Sequence, residues 1–362
     1  MKKYIKIWML MTMIFQESEI FAQKTNEWNV EQIPVLPDVQ GFAGMYAGVI
    51  EGMLVVAGGA NFPDKMPWEG GIKTWYNTIY TLDEETKKWR MSDVRLPDSL
   101  AYGVSTSYDG SILIVGGSNN SNQPVTTTCR ITLEKGQLAI KKLSPLPMAL
   151  VNMCGTLVGD YLFVAGGSTS SDGWPTTGFF VYDIRLDYWK QLADIPGPAR
   201  INAVSASAAG VFYLFSGIQL DRIESGIKRT ILTDAYSYTP QIVNGVINGG
   251  KWKRLADMPR GMAAGPSPAA TSRNDKHILI FGGLDDKTAQ HADPRTHPGF
   301  LPDLLQYDVA KDTWHFCGTL PKKEMRLTLP SVTKNGKYLL INGEIGPGVR
   351  TNTTIVIDIN AQ

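Results

Sequence analysis

Glu344 and Arg350 are the residues of this sequence whose types and spacing best suit chemistry on a small acidic ligand. Glu344 ends the stretch Asn342-Gly343-Glu344, and Arg350 lies six residues later, after a Gly-Pro-Gly segment. Glycine and proline favour a tight turn, which can bring the arginine back beside the glutamate. A positioned carboxylate can act as a general base, and a guanidinium fork matches a carboxylate ligand. The same pair could instead be a salt bridge that only holds the loop together.

The element that carries Glu344 is the last of six similar stretches. Each is an apolar run that stops at a pair of residues, usually two glycines; the six stretches are 53–59, 112–117, 162–167, 212–217, 278–283 and 338–344. Short runs of β-branched and aromatic residues favour buried strands, and glycine permits the positive φ that ends them. In the sixth stretch the pattern puts Glu344 where the others have their second glycine. Such a repeated phrase indicates a repeat architecture.

A second phrase completes the repeat: a tryptophan and, six or seven residues later, an apolar residue followed by proline. It occurs at Trp89, Trp189, Trp252 and Trp314, and the second repeat keeps the leucine and proline but lacks the tryptophan. With an inner strand before the apolar run and a further strand between the two phrases, each repeat has four strands, as in one propeller blade. The sixth repeat lacks its tryptophan strand, and the spare copy is near the other terminus, at Trp28. The sequence therefore predicts an all-β, six-bladed propeller whose ring is closed by an N-terminal strand in the last blade.

This topology predicts which side chains meet at one mouth of the central channel. In each blade the end of the second strand and the start of the first lie on the same face. The predicted ligand-binding residues come from the loops after the glycine pairs and from the starts of the inner strands; they are Asn61, Glu69, Lys73, Arg222, Tyr102, Arg200 and Arg326. A mouth with several arginines and few carboxylates attracts an anionic ligand.

Composition narrows the classes of partner and cofactor. The chain has 362 residues, 19% of them charged, and a net charge of +1, which argues against a nucleic-acid surface or a polybasic membrane contact. Three widely spaced cysteines form no CxxC pair, and the histidines and aspartates near His291 fit no metal-ligand spacing. We therefore expect no metal centre. The sequence leaves open whether two copies pair as a homodimer.

Residues 1–22 differ from the rest of the chain. Three lysines precede an apolar stretch of about nine residues, and Ala22 precedes Gln23. A basic start, an apolar core and a small residue before the cut are typical of a secretory signal, and the apolar stretch is too short to span a bilayer. We expect a signal peptide over 1–22, a single propeller domain over 23–362, and a periplasmic or secreted protein without a membrane anchor.

The repeats resemble Kelch repeats, and one segment is more specific. Residues 339–351, Leu-Leu-Ile-Asn-Gly-Glu-Ile-Gly-Pro-Gly-Val-Arg-Thr, resemble the signature of bacterial N-acetylneuraminate mutarotases, which has the same Asn-Gly-Glu and a Pro-Gly-Leu-Arg-Thr at the same spacing. The glycine-rich segments 41–44 and 58–70 resemble the same family. The order of the segments is rotated, so the resemblance implies a circularly permuted member, which a closed ring tolerates. Leu100 and Gly265 stand where these relatives have an arginine and a histidine.

The resemblance implies an isomerase that interconverts the α and β anomers of N-acetylneuraminate, a sialic acid, without metal or organic cofactor. Glu344 would be the base, and Arg350, with Arg200 as a second candidate, would hold the carboxylate of the sugar acid. Two other functions remain open. One is a non-catalytic Kelch module that binds a carbohydrate or a protein; the other is a different sialoside-processing enzyme, such as a hydrolase that pairs Glu344 with Glu69 or Glu224.

Overall fold

The computed structural model describes residues 28–359, and the predicted signal over 1–22 lies outside them. Six four-stranded antiparallel sheets form the blades, which confirms the predicted propeller. Blade one consists of Tyr46–Ile50, Met53–Ala57, Ile79–Asp83 and Lys88–Met91. Blade two consists of Val104–Tyr108, Ser111–Val115, Thr128–Glu134 and Gln137–Lys142. Blade three consists of Cys154–Val158, Tyr161–Ala165, Phe179–Asp183 and Tyr188–Gln191. Blade four consists of Val204–Ala208, Val211–Phe215, Ala235–Val243 and Val246–Arg254. Blade five consists of Ala270–Thr271, His277–Phe281, Asp303–Asp308 and Thr313–Thr319. Blade six consists of Ser331–Lys334, Lys337–Ile341, Thr354–Ile357 and Glu31–Ile33.

The ring closes as the sequence predicts, because Glu31–Ile33 is the outer strand of blade six. It pairs antiparallel with Thr354–Ile357, with Gln32 opposite Ile355. Trp28 precedes this strand and binds blade five, where its indole N–H donates to the Cys317 carbonyl at 2.9 Å. The four tryptophans of the repeated phrase, Trp89, Trp189, Trp252 and Trp314, do the same, each donating to a carbonyl of the blade before it. The tryptophan series is therefore a set of contacts between the outer strands.

A second ring of contacts lies at the inner ends of the blades. Each blade contributes one residue with positive φ just before its first strand: Gly44, Tyr102, Asn152, Asn202, Ala264 and Thr328. The N–H of each donates to the carbonyl of the equivalent residue in the preceding blade, at 2.7–2.9 Å, and the N–H of Gly44 donates to Thr328. The six hydrogen bonds form a closed circle around the channel.

Three additional hairpins stand on the mouth of the channel. They are Ala60–Asn61 with Thr74–Trp75 in blade one, Ile218–Ile223 with Gly226–Ile231 in blade four, and Glu344–Gly346 with Val349–Arg350 in blade six. Blade five instead has a loop with a short helix, Asp286–Ala289, and a 3-10 turn, Pro294–Thr296. A similar turn, Pro67–Glu69, lies in the blade-one loop, and a third, Lys322–Glu324, precedes blade six. Within 28–359 no helix is long and apolar enough to cross a membrane.

The close packing between neighbouring blades at the inner circle can be tested at Gly44. A Cβ there would lie 2.3 Å from the Tyr102 ring, and φ is +62°, so Gly44→Ala combines a left-handed backbone with a clash. We expect a loss of about 2–4 kcal/mol in the free energy of unfolding. Gly52→Ala is the matched control, because φ is +83° but no atom lies within 4 Å of its added methyl group. It should cost about 1–2 kcal/mol. Equal losses in urea unfolding would show that the approach of the Tyr102 ring to Gly44 does not constrain the fold.

Candidate active site at the junction of blades six and one

Glu344 and Arg350 lie directly opposite each other in the blade-six hairpin. The Glu344 Oε1 atom is 3.6 Å from Arg350 Nη1 and accepts a 2.7 Å hydrogen bond from the backbone N–H of Gly348. Gly348 has φ +81°, so the Gly-Pro-Gly segment makes the turn that returns the arginine to the glutamate. The Glu344 side chain is 20% exposed and that of Arg350 is 5% exposed.

The alignment that put Glu344 in place of a glycine was wrong by one residue. The pair that ends the sixth apolar run is Asn342-Gly343, with φ of 51° and 97°, and it matches Ser216-Gly217 in blade four, with 56° and 110°. Asparagine tolerates this left-handed conformation better than most residues, so it can stand in for the first glycine. Glu344 is the next residue and bridges Leu327, as Ala60 bridges Ala43 in blade one.

The residue that follows the pair in each blade lies at the rim of the mouth. Among these six rim residues, Glu344 is the one that is acidic. The equivalent residues of the other blades bridge their inner-strand neighbours in the same way and are uncharged: Ala60, Ser118, Ser168, Ile218 and Leu284. The hairpin therefore presents a carboxylate beside the channel at a place where the other five blades present none.

Arg350 is held in an unusual state for a buried cation. Its Nε and Nη1 atoms are buried and have no hydrogen-bond partner among the described residues. The Glu344 carboxylate, 3.6 Å away, is beyond hydrogen-bond distance. The guanidinium carbon lies 4.9 Å from the centre of the Phe62 ring. Because buried donors without acceptors cost free energy, this arginine has the chemistry of an incomplete anion site.

The turn of this hairpin is in contact with a neighbouring loop, which the sequence did not indicate. A Cβ on Gly348 would lie 2.5 Å from Pro67 Cγ, so the blade-one loop lies against the turn that positions Glu344. The charge of Glu344 also acts on His297, in the blade-five loop. Burial lowers the pKa of His297, and the negative charges of Glu344 and Asp285 act in the opposite direction.

The contacts of His297 define its tautomer. Nδ1 accepts a hydrogen bond from the Gly299 N–H at 3.1 Å, and Nε2 lies 3.2 Å from the Thr288 carbonyl. A carbonyl only accepts, so Nε2 carries the proton and the imidazole is neutral. Both ring nitrogens are therefore engaged within their own loop. Within 28–359 no group of three or more histidine, cysteine, aspartate or glutamate side chains is placed to hold a metal ion.

Arg200 and Arg326 lie beneath the mouth rather than in it. Arg200 is fully buried, and its Nη1 and Nη2 atoms bind both carboxylate oxygens of Asp234 at 2.7 Å. Arg326 is 1% exposed and binds Glu324 at 2.9 Å and the Thr353 carbonyl at 2.9 Å. Burial lowers the pKa of Arg326 to about 10. This geometry gives both arginines a structural role and leaves neither free to reach a ligand.

Two of the predicted residues from blade one make hydrogen bonds that stabilise the local structure of their loop. Asn61 is 1% exposed; its amide donates to the Gly41 carbonyl at 3.0 Å, and its Oδ1 accepts from the Tyr76 hydroxyl at 2.8 Å. Glu69 is exposed and accepts a hydrogen bond from the Met66 N–H at 3.1 Å, which closes the local 3-10 turn.

The remaining three predicted residues contact aromatic rings or line the channel. The Lys73 ammonium lies 4.1 Å from the centre of the Tyr102 ring and 4.9 Å from that of Trp75. Tyr102 lines the central channel, and its buried hydroxyl has no partner among the described residues. Arg222 is exposed on the blade-four hairpin, with its guanidinium 4.8 Å from the centre of the Trp174 ring.

The chain is similar to known sugar-acid isomerases. The model of the N-acetylneuraminate epimerase family matches residues 10–140 and 144–291, which is most of the chain but does not include Glu344 or Arg350. N-acetylneuraminate epimerases of Yersinia enterocolitica and Pasteurella multocida are 28% and 29% identical to it, over 62% and 58% of this chain. These matches span 59% and 57% of the relatives, less than two thirds of their length.

The solved structure of a protein called YjhT has the same fold. Its TM-score against this chain is 0.65, and the two are 17% identical in sequence. The comparison covers 91% of this chain and 98% of that one. At this identity the likeness concerns the fold alone, and it agrees with the six-bladed propeller described above.

The structural role of Arg200 can be tested by comparing it with an exposed pair of the same chemistry in blade four. Arg200→Met leaves Asp234 buried without its partner, which should cost about 3–5 kcal/mol in the free energy of unfolding. Arg254 pairs with Asp257, but both side chains are 54% exposed, so Arg254→Met should cost no more than about 1 kcal/mol. Urea unfolding measures both, and an Arg200→Met protein as stable as the Arg254→Met protein would refute the assignment.

Proposed function

Since the chain belongs to the N-acetylneuraminate epimerase family, we propose that it is a mutarotase that interconverts the α and β anomers of N-acetylneuraminate. The observation that carries the proposal is the pair Glu344 and Arg350, in which a carboxylate at the channel mouth lies beside a buried guanidinium with unpartnered donors. The substrate needs both groups, because it is a cyclic hemiketal with a carboxylate on its anomeric carbon.

The reaction requires opening of the ring, rotation about one bond and closure on the other face. In opening, the anomeric hydroxyl loses a proton, the bond between the anomeric carbon and the ring oxygen breaks, and the ring oxygen gains a proton. Glu344 accepts the first proton as general base, and the resulting carboxylic acid, or water, delivers a proton to the ring oxygen. Reversal of these steps after rotation about C2–C3 gives the other anomer. General acid–base catalysis supplies roughly 10²–10⁴-fold acceleration, which suits a reaction that already proceeds in water.

Arg350 is assigned to the carboxylate of the sugar acid. A bound carboxylate would accept a hydrogen bond from one of the Nε and Nη1 donors that lack partners and would offset part of the cost of burying them. It would also keep the anomeric carbon beside Glu344 while the rest of the open chain rotates. Lys73, Tyr102 and Arg222 are proposed as further substrate contacts, because they lie at the mouth with ammonium, hydroxyl and guanidinium groups that bind no carboxylate of the described chain.

The chemistry and the family fit an exported protein that meets free sialic acid outside the cytoplasm. The basic and apolar segment over 1–22 supports periplasmic or secreted localisation, and the near-neutral net charge of +1 supports a small acidic ligand over nucleic acid or a membrane surface. A Kelch module that binds sialic acid without catalysis is the second candidate, because the same mouth would attract the same ligand.

Replacement of Glu344 separates the two candidates. Glu344→Gln removes the base but keeps the size of the side chain and an acceptor for the Gly348 N–H, so anomer exchange should slow by roughly 10²-fold or more while binding persists. Exchange NMR on N-acetylneuraminate measures the rate. Glu85→Gln, an exposed substitution on the opposite face of blade one, is the control and should leave the rate unchanged. A wild-type protein that binds the sugar but gives only the buffer rate would favour the binding module.

Replacement of Arg350 tests the carboxylate contact. Arg350→Met loses charge-assisted hydrogen bonds worth about 1.5–3 kcal/mol, so the dissociation constant for N-acetylneuraminate should rise roughly 10- to 150-fold. Arg90→Met is the control, because Arg90 is exposed on the outer strand of blade one and should not alter binding. Calorimetric titration measures both variants, and unchanged affinity in Arg350→Met would remove Arg350 from the site.

A further inference from the structure

We infer that Phe62 is a positioning residue, which holds the guanidinium of Arg350 in the orientation that binds the ligand carboxylate. The inference rests on the function proposed above and adds a residue to it. Phe62 follows Asn61 at the start of the blade-one loop and is half-buried, and the centre of its ring is 4.9 Å from the guanidinium carbon of Arg350.

The contacts of Arg350 leave this ring as the group that can orient it. A guanidinium is usually fixed by hydrogen bonds, but Nε and Nη1 make none with the described residues. The nearest carboxylate oxygen, on Glu344, is 3.6 Å from Nη1. A cation within about 6 Å of an aromatic ring centre is attracted to the face of the ring, most strongly where water is excluded. With a side chain only 5% exposed, Arg350 meets that condition.

Phe62 is itself attached to a rigid part of the loop. Asn61, the preceding residue, pairs with Thr74 in the small hairpin and is anchored by hydrogen bonds to Gly41 and Tyr76. The blade-one loop then returns to the blade-six hairpin at Pro67, against Gly348. The Phe62 side chain is thus held by blade one, while Arg350 is held by the hairpin of blade six. Its face toward Arg350 is covered and is not available to stack on a sugar.

An aromatic ring positions a cation without neutralising it. Lys73 lies over Tyr102 and Arg222 lies over Trp174 in the same manner. The buried Arg200 also lies over a ring, 5.5 Å from the centre of Tyr236, but its charge is paired with a carboxylate. Arg200 and Arg326 bind Asp234 and Glu324. A carboxylate partner would consume the positive charge and the donors that an anionic ligand needs. Phe62 therefore fixes Arg350 and leaves its donors for the ligand.

The test compares Phe62→Leu with wild type on two ligands, N-acetylneuraminate and its methyl ester, which lacks the negative charge. Loss of the ring contact should weaken binding of the acid by roughly 2- to 30-fold, the range expected for a cation–aromatic contact, and leave binding of the ester within about twofold. In anomer exchange the KM should rise while kcat changes little. Phe62→Tyr keeps the ring and should restore binding of the acid. Thermal unfolding of each variant verifies that the fold is retained.

Each other outcome is decisive. Equal weakening for acid and ester would show that Phe62 contacts the sugar itself, and no weakening for either would show that it does not act on the site; both results would overturn the inference but leave the proposed function intact. Failure of Phe62→Tyr to restore binding would also overturn it. A wild-type protein that binds neither ligand would overturn the proposed function and the role of Phe62 with it.

Discussion

The circle of six backbone hydrogen bonds around the channel is the constraint on which the rest of the structure depends. A propeller must place six nearly identical sheets at fixed angles, and side-chain packing between twisted sheets does not by itself fix their number. The circle does so, because each left-handed residue donates to the equivalent residue of one neighbour and accepts from that of the other. Adding or removing a blade would require all six bonds to change their geometry together.

The circle also determines which positions are core and which are mouth. The residue two positions before each left-handed residue is at most 1% exposed in every blade, and in blades one, two, three and five it is apolar: Phe42, Leu100, Leu150 and Met262. Arg200 and Arg326 occupy this same position in the remaining two blades. Each buried guanidinium is accompanied by a carboxylate, because an unpaired charge at this depth would destabilise the fold.

The seam where the ring closes is also where the candidate site lies. After the closing strand Glu31–Ile33, the chain runs beside the end of the blade-six hairpin. The N–H of Leu36 donates to the Asn352 carbonyl at 3.0 Å, and the Asn352 amide donates to the Leu36 and Asp38 carbonyls. A Cβ on Gly41 would lie 2.0 Å from the Thr351 carbonyl oxygen, so the two segments are in close contact. Closure of the ring and placement of Arg350 therefore depend on the same contacts.

The sequence predicted the architecture well because its signals are local and repeated. The apolar runs, the glycine pairs and the tryptophans each have one physical meaning, and the spare Trp28 segment matches the missing strand. The pairing of Glu344 with Arg350 was predictable for the same reason, since a Gly-Pro-Gly turn fixes both ends of a short hairpin. The off-by-one placement of Glu344 arose because asparagine can take the conformation expected of glycine.

The depth of the arginines could not be predicted from residue type. A charged side chain at the start of an inner strand suggests exposure, whereas Arg200 and Arg326 are compensated by Asp234, a distant residue, and Glu324, a near one. An alignment of the six repeats would have shown that Arg200 and Arg326 occupy a position at which the other four repeats have apolar residues. No such signal exists for Phe62 or His297, because their relation to the hairpin arises from loops that differ in length between blades.

The three buried arginines together show why the junction of blades six and one differs from the rest of the ring. Where a guanidinium holds blades together, the chain itself supplies acceptors for it, as for Arg200 and Arg326. The Arg350 side chain is only 5% exposed, yet the described chain supplies it with an aromatic face and the Glu344 carboxylate at 3.6 Å, and leaves Nε and Nη1 without a hydrogen-bond acceptor. The guanidinium nitrogens of Arg200 and Arg326 all have acceptors within the chain, whereas two nitrogens of Arg350 have none among the described residues. Burying these two donors costs free energy, which a bound acceptor would offset. The carboxylate ligand that we propose, beside the one acidic residue of the rim, is a group whose chemistry would do so.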